Sequence, residues 1–255
     1  SIRRQRQMCI SDSVDPRYEG IFRHSALFIG SNVREAVREG RADAYSIFLQ
    51  EVPRLFKSGL KPVDVSLIQV SPPDEHGFCS YGVGVDVTKA AAECSKTVIA
   101  MVNPQMPRAL GDSFIHVNKI HHIVEHDTPI REMPQFVFNP DDPATAVPMK
   151  IGERIADLID DGATLQMGIG TIPDAILYHL HDKKNLGIHT EMFSDGVVDL
   201  VEEGVINNEK KTIHTGKITA GFVLGTKKTF DFIDNNPVCE FRTTEYINDL
   251  SLIHI

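Results

Sequence analysis

The chain is poor in the residues that staple or anchor a protein. Among 255 residues there are four cysteines, Cys9, Cys79, Cys94 and Cys239, and no two form a CxxC pair. A zinc ribbon or a redox dithiol therefore has no support, and buried free thiols are the expectation. No apolar run approaches the roughly 18 residues that a membrane span requires, and no signal peptide is visible. The expectation is a cytoplasmic protein with no membrane partner. Positive charge is also scarce, with 26 Lys and Arg against 35 Asp and Glu and a net charge of -9. Nothing concentrates basic residues on a long surface, which argues against nucleic-acid binding. The histidines His116, His121, His122 and His126 are clustered, and His122 and His126 stand four apart. No acid or thiol completes an HExxH-type spacing, and Ile120, Ile123 and Val124 read as a short strand, so no metal is expected there.

What is present is a globular composition, 42% hydrophobic and 24% charged, with length for one large or two ordinary domains. Residues 1–13 carry basic and polar positions without period and read as a leader outside the fold. From Tyr18 strands and helices alternate: strand 26–29, helix 32–39 ended by Gly40, strand 44–49, helix 51–57 stopped by Gly59. Residues 63–70, apolar at five of eight positions, are read as a strand buried on both faces, as in a parallel sheet. The polar, Pro- and Gly-dense segment 71–82 reads as a loop too polar for packed core. Helix 87–94 and strand 97–102 follow.

Five of the 14 prolines, at 129, 134, 140, 143 and 148, mark 128–150 as a linker. Beyond it a helix through Ile151, Ile155, Leu158 and Ile159 precedes strands at 163–168, 186–191, 218–224 and 238–243. The predicted fold class is α/β: two consecutive α/β domains with mainly parallel sheets, 14–127 and 151–249, the second incomplete, and a non-family tail at 250–255.

Two βα turns draw attention. Gly187-Ile188-His189-Thr190-Glu191-Met192-Phe193-Ser194-Asp195-Gly196 reads as strand, turn and helix start, with Glu191 at the carboxyl edge of the sheet, where chemistry gathers in open α/β folds. Glu191 is either an acid near a positive helix end, worth about 0.3–1 kcal/mol, or a nucleophile or general base. Upstream, Gly168-Ile169-Gly170-Thr171-Ile172-Pro173-Asp174 closes a strand and opens a helix at 174–181. Its glycines admit a ligand to the backbone, and free N–H groups at a helix start attract anions. A dinucleotide-binding reading of Gly168 and Gly170 lacks the third glycine and the acidic residue on the next strand.

With these motifs stand Phe22-Arg23-His24, Asn32-Val33-Arg34, Glu51-Val52-Pro53, and Val70-Ser71-Pro72-Pro73-Asp74-Glu75-His76-Gly77. Together with Gly168 to Ala175 and Gly187 to Met192, they make the chain resemble, from Arg17 to Asn248, the acetyl-CoA hydrolase/transferase family. This is a class of family I CoA-transferases that includes 4-hydroxybutyrate, butyryl and acetate CoA-transferases. The resemblance implies paired α/β domains with the active site between them and Glu191 as the catalytic glutamate. It makes Gly168, Ile169, Gly170, Thr171 and Ile172 the coenzyme A-binding turn and sets Ser71 to Gly77 on the acyl side of the cleft.

The implied chemistry passes coenzyme A from a short-chain acyl-CoA to a free carboxylate such as acetate, butyrate or 4-hydroxybutyrate. It runs ping-pong through an acyl-glutamyl anhydride and a glutamyl-CoA thioester. A carboxylate attacks thioesters poorly in water, and fixing it beside the carbon supplies an effective molarity of roughly 10⁵–10⁸ M. Coenzyme A is a substrate here; no permanently bound cofactor and no metal is implied, and a symmetric homo-oligomer is the expectation. Water resolving the same intermediate would make an acyl-CoA hydrolase, and a non-catalytic interaction domain is the remaining alternative. Family members begin earlier and run well past position 255, so the chain is expected to be truncated at both ends and weakly active or inactive alone. The tail Leu250-Ser251-Leu252-Ile253-His254-Ile255 reads as translated adapter sequence.

Overall fold

The computed structural model describes residues 14–133, 138–139 and 142–254. The predicted leader, Cys9, parts of the predicted linker (134–137 and 140–141) and Ile255 lie outside the described residues. The chain forms two compact units, 1–52 and 53–255.

In the first unit, parallel strands β1 (His24–Ala26) and β2 (Ala42–Ala44) are joined through helix α1 (Arg34–Arg38). Both strands lie earlier than the sequence predicts. Phe28 and Phe48, which drew the predicted strands later, are exposed. Arg23 fixes the pair by donating from Nε to Asp43 Oδ2 at 2.6 Å.

The second unit opens with α2 (Val52–Lys57) and holds two parallel sheets. The first has the order β3-β5-β7, from β3 (Val63–Val70), β5 (Ser95–Val102) and β7 (His122–Glu125). The predicted two-sided burial of 63–70 is not observed: Ser66, Ile68 and Val70 are buried, whereas Val65 and Leu67 are 50% and 63% exposed. Helix α3 (Thr88–Cys94) packs on β3 and β5 from one side only. A strand covered on one face obeys the period-2 rule. The loop after β3 also differs from expectation. Its end folds into β4 (Phe78–Ser80), antiparallel to β6 (Phe114–His116), with Cys79, Ser80 and Tyr81 buried. Asp74 shapes the turn by accepting from the backbone N–H of His76 and Phe78, at 3.0 and 2.9 Å.

The second sheet has the order β11-β10-β9-β8, all parallel: β8 (Thr164–Leu165), β9 (Gly187–Phe193), β10 (Ile218–Val223) and β11 (Cys239–Phe241). Helix α4 (Pro143–Ala156) starts inside the predicted linker, because Asp142 caps it by accepting from Ala144 N at 2.9 Å and Pro143 suits the first helical position. Helix α5 (Thr171–Tyr178) begins three residues before the predicted start. Gly170 caps it at φ 110°, and the missing N–H of Pro173 falls in the first turn, where no intrahelical acceptor exists. Helices α6 (Asp195–Glu202) and α7 (Lys227–Ile233) follow β9 and β10, and short α8 (Thr244–Ile247) packs on β9 and β10.

Backbone pairing joins the early and late parts of this unit. Val223 N donates to Val83 O at 2.8 Å, Phe241 N to Leu110 O at 2.9 Å, and Asp112 N to Phe241 O at 2.8 Å. Arg108 adds a side-chain clamp, donating from Nη2 to Asp74 Oδ2 at 2.6 Å while its backbone N–H donates to Asp234 at 2.7 Å. Residues of both sheets, from Ile68 and Val70 to Ile188, Phe193 and Phe241, belong to one hydrophobic core.

Candidate active site

Strand β9 runs to Phe193, two residues beyond the predicted end, so Glu191 lies within the strand. The helix that follows is capped at Ser194, and Glu191 is not its cap. The pairing Thr164↔Gly187 and Leu165↔Ile188 ends with β8 at Leu165, and two residues on Met167 N donates to Thr190 Oγ1 at 2.9 Å, which holds the entry to the glycine turn against β9. On the other side Thr219↔His189 and Ala220↔Thr190 set Gly221 beside Glu191. A Cβ at Gly221 would stand 3.0 Å from Glu191 O. Of the two sequence-predicted elements, the glutamate lies within β9 and the glycine turn lies beyond the end of the neighbouring β8.

Alternation along the strands then decides what shares the glutamate's face. On that face β9 presents His189 and Glu191, β10 presents Thr219 and Gly221, and β11 presents Glu240, followed by Arg242 just beyond its end. The other parity is buried and apolar in Ile188, Ile218, Ala220, Cys239 and Phe241. A central parallel strand normally buries apolar residues on both faces; this face is polar.

Helix α8 closes over it. Asn248, its C-cap, donates from Nδ2 to Glu191 Oε2 at 2.6 Å, while its own Oδ1 is buried without a hydrogen-bond partner. Lys211 lies beneath, 5% exposed, donating to Ile188 O at 2.7 Å, Lys217 O at 2.6 Å and Thr219 Oγ1 at 3.0 Å. Burial pushes its ammonium down to about 8, against the opposing pull of Glu240. Burial, then Lys211 and His214, push His189 down to about 4, which keeps this imidazole neutral near pH 7. Thr164, Gln166, His189, Lys211 and Asn248 line a cavity of about 640 Å³.

A second cavity, of about 400 Å³, borders the rest of the glycine turn. Gly168, Ile169 and Gly170 line it, together with Tyr178, Asp174, Asp195, Asp199 and Glu203. Burial and then the Asp195 charge raise the Asp174 carboxyl above the usual range. Asp195 itself accepts from Thr226 N and Thr226 Oγ1, both at 3.0 Å, tying the start of α6 to that of α7. Thr171 and Ile172 belong to α5. Among the described residues no group of three His, Cys, Asp or Glu side chains could hold a metal, and His122 lies on strand β7 rather than on a helix face shared with His126. Cys79 and Cys239 are buried free thiols and Cys94 is a partly buried one. Among the described residues no helix is long and apolar enough to cross a membrane.

Sequence reasoning singled out Glu191 and the glycine turn and missed Lys211, Gly221, Glu240, Arg242, Tyr246 and Asn248. A signal existed for part of this set: polar residues at alternate positions in otherwise apolar strands, as in Cys239-Glu240-Phe241-Arg242. Asn248 and Lys211 carried none, since loops and a four-residue helix deliver them.

Residues 7–133 match the family model described as the acetyl-CoA hydrolase/transferase N-terminal domain. The chain is 56% identical over 228 residues to the 4-hydroxybutyrate coenzyme A transferase of Clostridium kluyveri, across 89% of this chain and 52% of that protein. It is 48% identical over 231 residues to the succinyl-CoA:acetate/propanoyl-CoA:succinate CoA transferase of Fasciola hepatica, across 90% and 47%. The crystal structure of a 4-hydroxybutyrate CoA-transferase from Porphyromonas gingivalis superposes with a TM-score of 0.79 at 41% identity, covering 93% of this chain and 60% of that one. The chain spans about half the length of the curated relatives it matches.

Proposed function

Because the chain belongs to the acetyl-CoA hydrolase/transferase family, we propose that its protein transfers coenzyme A between a short-chain acyl-CoA and a free carboxylate, with Glu191 as the covalent carrier. The observation that carries this reading is a glutamate inside a parallel sheet, beside Gly221 of the next strand and held through one oxygen by Asn248. With Oε2 engaged, the other oxygen is the one free to attack. The sheet fixes the carboxylate, which provides the proximity that the reaction lacks in water.

Glu191 attacks the thioester carbonyl, forming an acyl-glutamyl anhydride and releasing the coenzyme A thiolate. The thiolate attacks the glutamyl carbonyl, the anhydride C–O bond breaks, and the first carboxylate leaves a glutamyl-CoA thioester. A second carboxylate then reverses both steps, regenerating Glu191 and a new acyl-CoA. No proton has to move, so no base is required. Each tetrahedral oxyanion needs donors, and the backbone N–H groups near Gly168 and Gly170 are the proposed source.

Gly168, Ile169, Gly170, Thr171 and Ile172 are the proposed coenzyme A contact. The acids beside them suit the neutral pantetheine arm better than the diphosphate. Coenzyme A comes and goes as substrate in this scheme, which uses no resident cofactor. A cytoplasmic homo-oligomer fits the reading, as does the absence of a concentrated basic surface for nucleic acid.

The test is mass spectrometry of the full-length protein after exposure to acyl-CoA. A coenzyme A adduct is expected on the peptide holding Glu191, and neither adduct nor exchange in Glu191→Gln. Exchange that persists in Glu191→Gln overturns the assignment. Hydrolysis without added acetate as fast as exchange with it would move the reading to a hydrolase.

A further inference from the structure

On the glutamate's side of the sheet lies a second, fully connected polar array that the transfer chemistry does not use. Glu240, on β11, accepts from His214 Nδ1 at 2.8 Å, and His214 Nε2 meets the Tyr246 hydroxyl at 2.5 Å. A carboxylate only accepts, so His214 donates to Glu240 from Nδ1 and pairs with the Tyr246 hydroxyl through Nε2. Arg242 completes the set, ion-paired to Glu240 and lying 5.2 Å over the Tyr246 ring. His214 and Glu240 are 17% and 18% exposed in their side chains, so the array is largely shielded from water.

His214 also holds an uncommon backbone conformation. Its φ is 51°, in the left-handed region that costs a branched or bulky L-residue free energy and persists only where surroundings over-determine it. What it gains there is the bond to Tyr246. Tyr246 belongs to the four-residue helix α8, and two residues later Asn248 makes the bond to the Glu191 carboxylate. A helix of one turn has little rigidity of its own. Its other ties are packing on β9 and β10 through the buried Thr244 and Ile247, a ring contact of Tyr246 with His189 at 6.1 Å, a 3.3 Å bond from Thr244 N to Asp86 O, and an exposed ion pair from Glu245 to Lys57. The polar ties among these act at its first two residues, away from the end that carries Asn248.

Resting on the transferase reading above, we propose that Glu240, His214 and Tyr246 form a strap that sets the orientation of α8 and so holds Asn248 against Glu191. His214 and Tyr246 are positioning residues: they touch neither substrate nor the reacting oxygen. Releasing the strap leaves acyl-CoA binding intact and lets the carboxylate rotate away from the attacking geometry. The loss therefore falls on the covalent step, because interactions that fix a near-attack arrangement act on the rate at saturation.

The experiment uses the full-length protein and follows both exchange kinetics and the rate of coenzyme A adduct formation on the Glu191 peptide. Tyr246→Phe removes one oxygen and keeps the ring's contacts with His189, His214 and Arg242. His214→Asn shortens the side chain below reach of Tyr246 while retaining a residue that tolerates left-handed backbone. Each is expected to lower kcat and adduct formation about tenfold, with KM for acyl-CoA within about twofold. In an Asn248→Ala background, Tyr246→Phe is expected to add less than about twofold, because a residue acting through Asn248 has nothing left to aim.

A fall in melting temperature with unchanged kcat marks a merely structural contact and overturns the proposal. So does an undiminished effect of Tyr246→Phe in the Asn248→Ala background. If the wild-type protein forms no adduct, the transferase reading itself fails and takes the strap with it; an adduct in wild type with strap variants at the wild-type rate rejects the strap alone.

Discussion

Gly221, beside Glu191 on β10, leaves the carboxylate without a side-chain wall on that flank. A side chain at Gly221 meets the Glu191 carbonyl at 3.0 Å from its first atom, so a branched residue must push the strands apart. Gly221→Val is expected to cost about 1–3 kcal/mol and to slow adduct formation on Glu191, measured by denaturant titration and by the mass-spectrometric time course. His189 carries a pH dependence of definite sign. Its pKa in the fold is about 4 against an ordinary 6.5, so the unfolded chain takes up a proton first as pH falls. Its stabilising contribution is whole above 6.5 and is lost progressively down to about 4. Between pH 7 and 4.5, His189→Asn is therefore expected to lose about 1–3 kcal/mol less stability than the wild type, read from melting at the two values. Glu191 was legible from its motif; the roles of His189 and Gly221 were not, because they follow from strand register, which pairs residues that the sequence keeps far apart.

At the scale of elements, alternation of strand and helix was readable and boundaries were not. The strand around 218–224 and the helix at 87–94 fall where periodicity sets them, with β10 at Ile218–Val223 and α3 at Thr88–Cys94. The first part of helix α4, 143–150, was hidden by prolines: Pro143 stands at its start and Pro148 in its interior, while the part from Ile151 was read as helix. Proline weighs against a helix in sequence, yet tertiary packing outweighs the single lost hydrogen bond. That packing is close. A Cβ on Gly152 would lie 2.6 Å from the Ala175 carbonyl carbon, so α4 and α5 approach to backbone contact. Gly152→Leu improves helix propensity but forces the helices apart, and a net loss of about 1–3 kcal/mol is expected. A lower urea midpoint with unchanged slope would report it; an unchanged midpoint would mean that the pair repacks freely.

For the molecule as a whole, the sheet of β3, β5 and β7 leaves apolar residues on its surface. Val65, Leu67, Ile123 and Val124 are each at least half exposed. Strand register sets Val65, Leu67 and Val124 on one face and Ile123 on the other, and apolar surface gathered on an uncovered face drives association in water. Leu67→Lys is expected to reduce light scattering by the 255-residue chain while leaving its melting temperature within a few degrees. Burial on one face only was not legible in 63–70, since apolar residues stand at both parities, Val63, Val65 and Leu67 on one and Ile68 and Val70 on the other.

The strand-edge bonds from Val83 and Leu110 to the late sheet bear on how the chain is made. Their partners, Val223 and Phe241, are synthesised more than a hundred residues afterwards, on the order of ten seconds at ribosomal speed. Until then the emerging polypeptide holds open backbone edges beside an uncovered apolar surface. The interval of translation between these segments is thus the window in which a chaperone matters most to this protein.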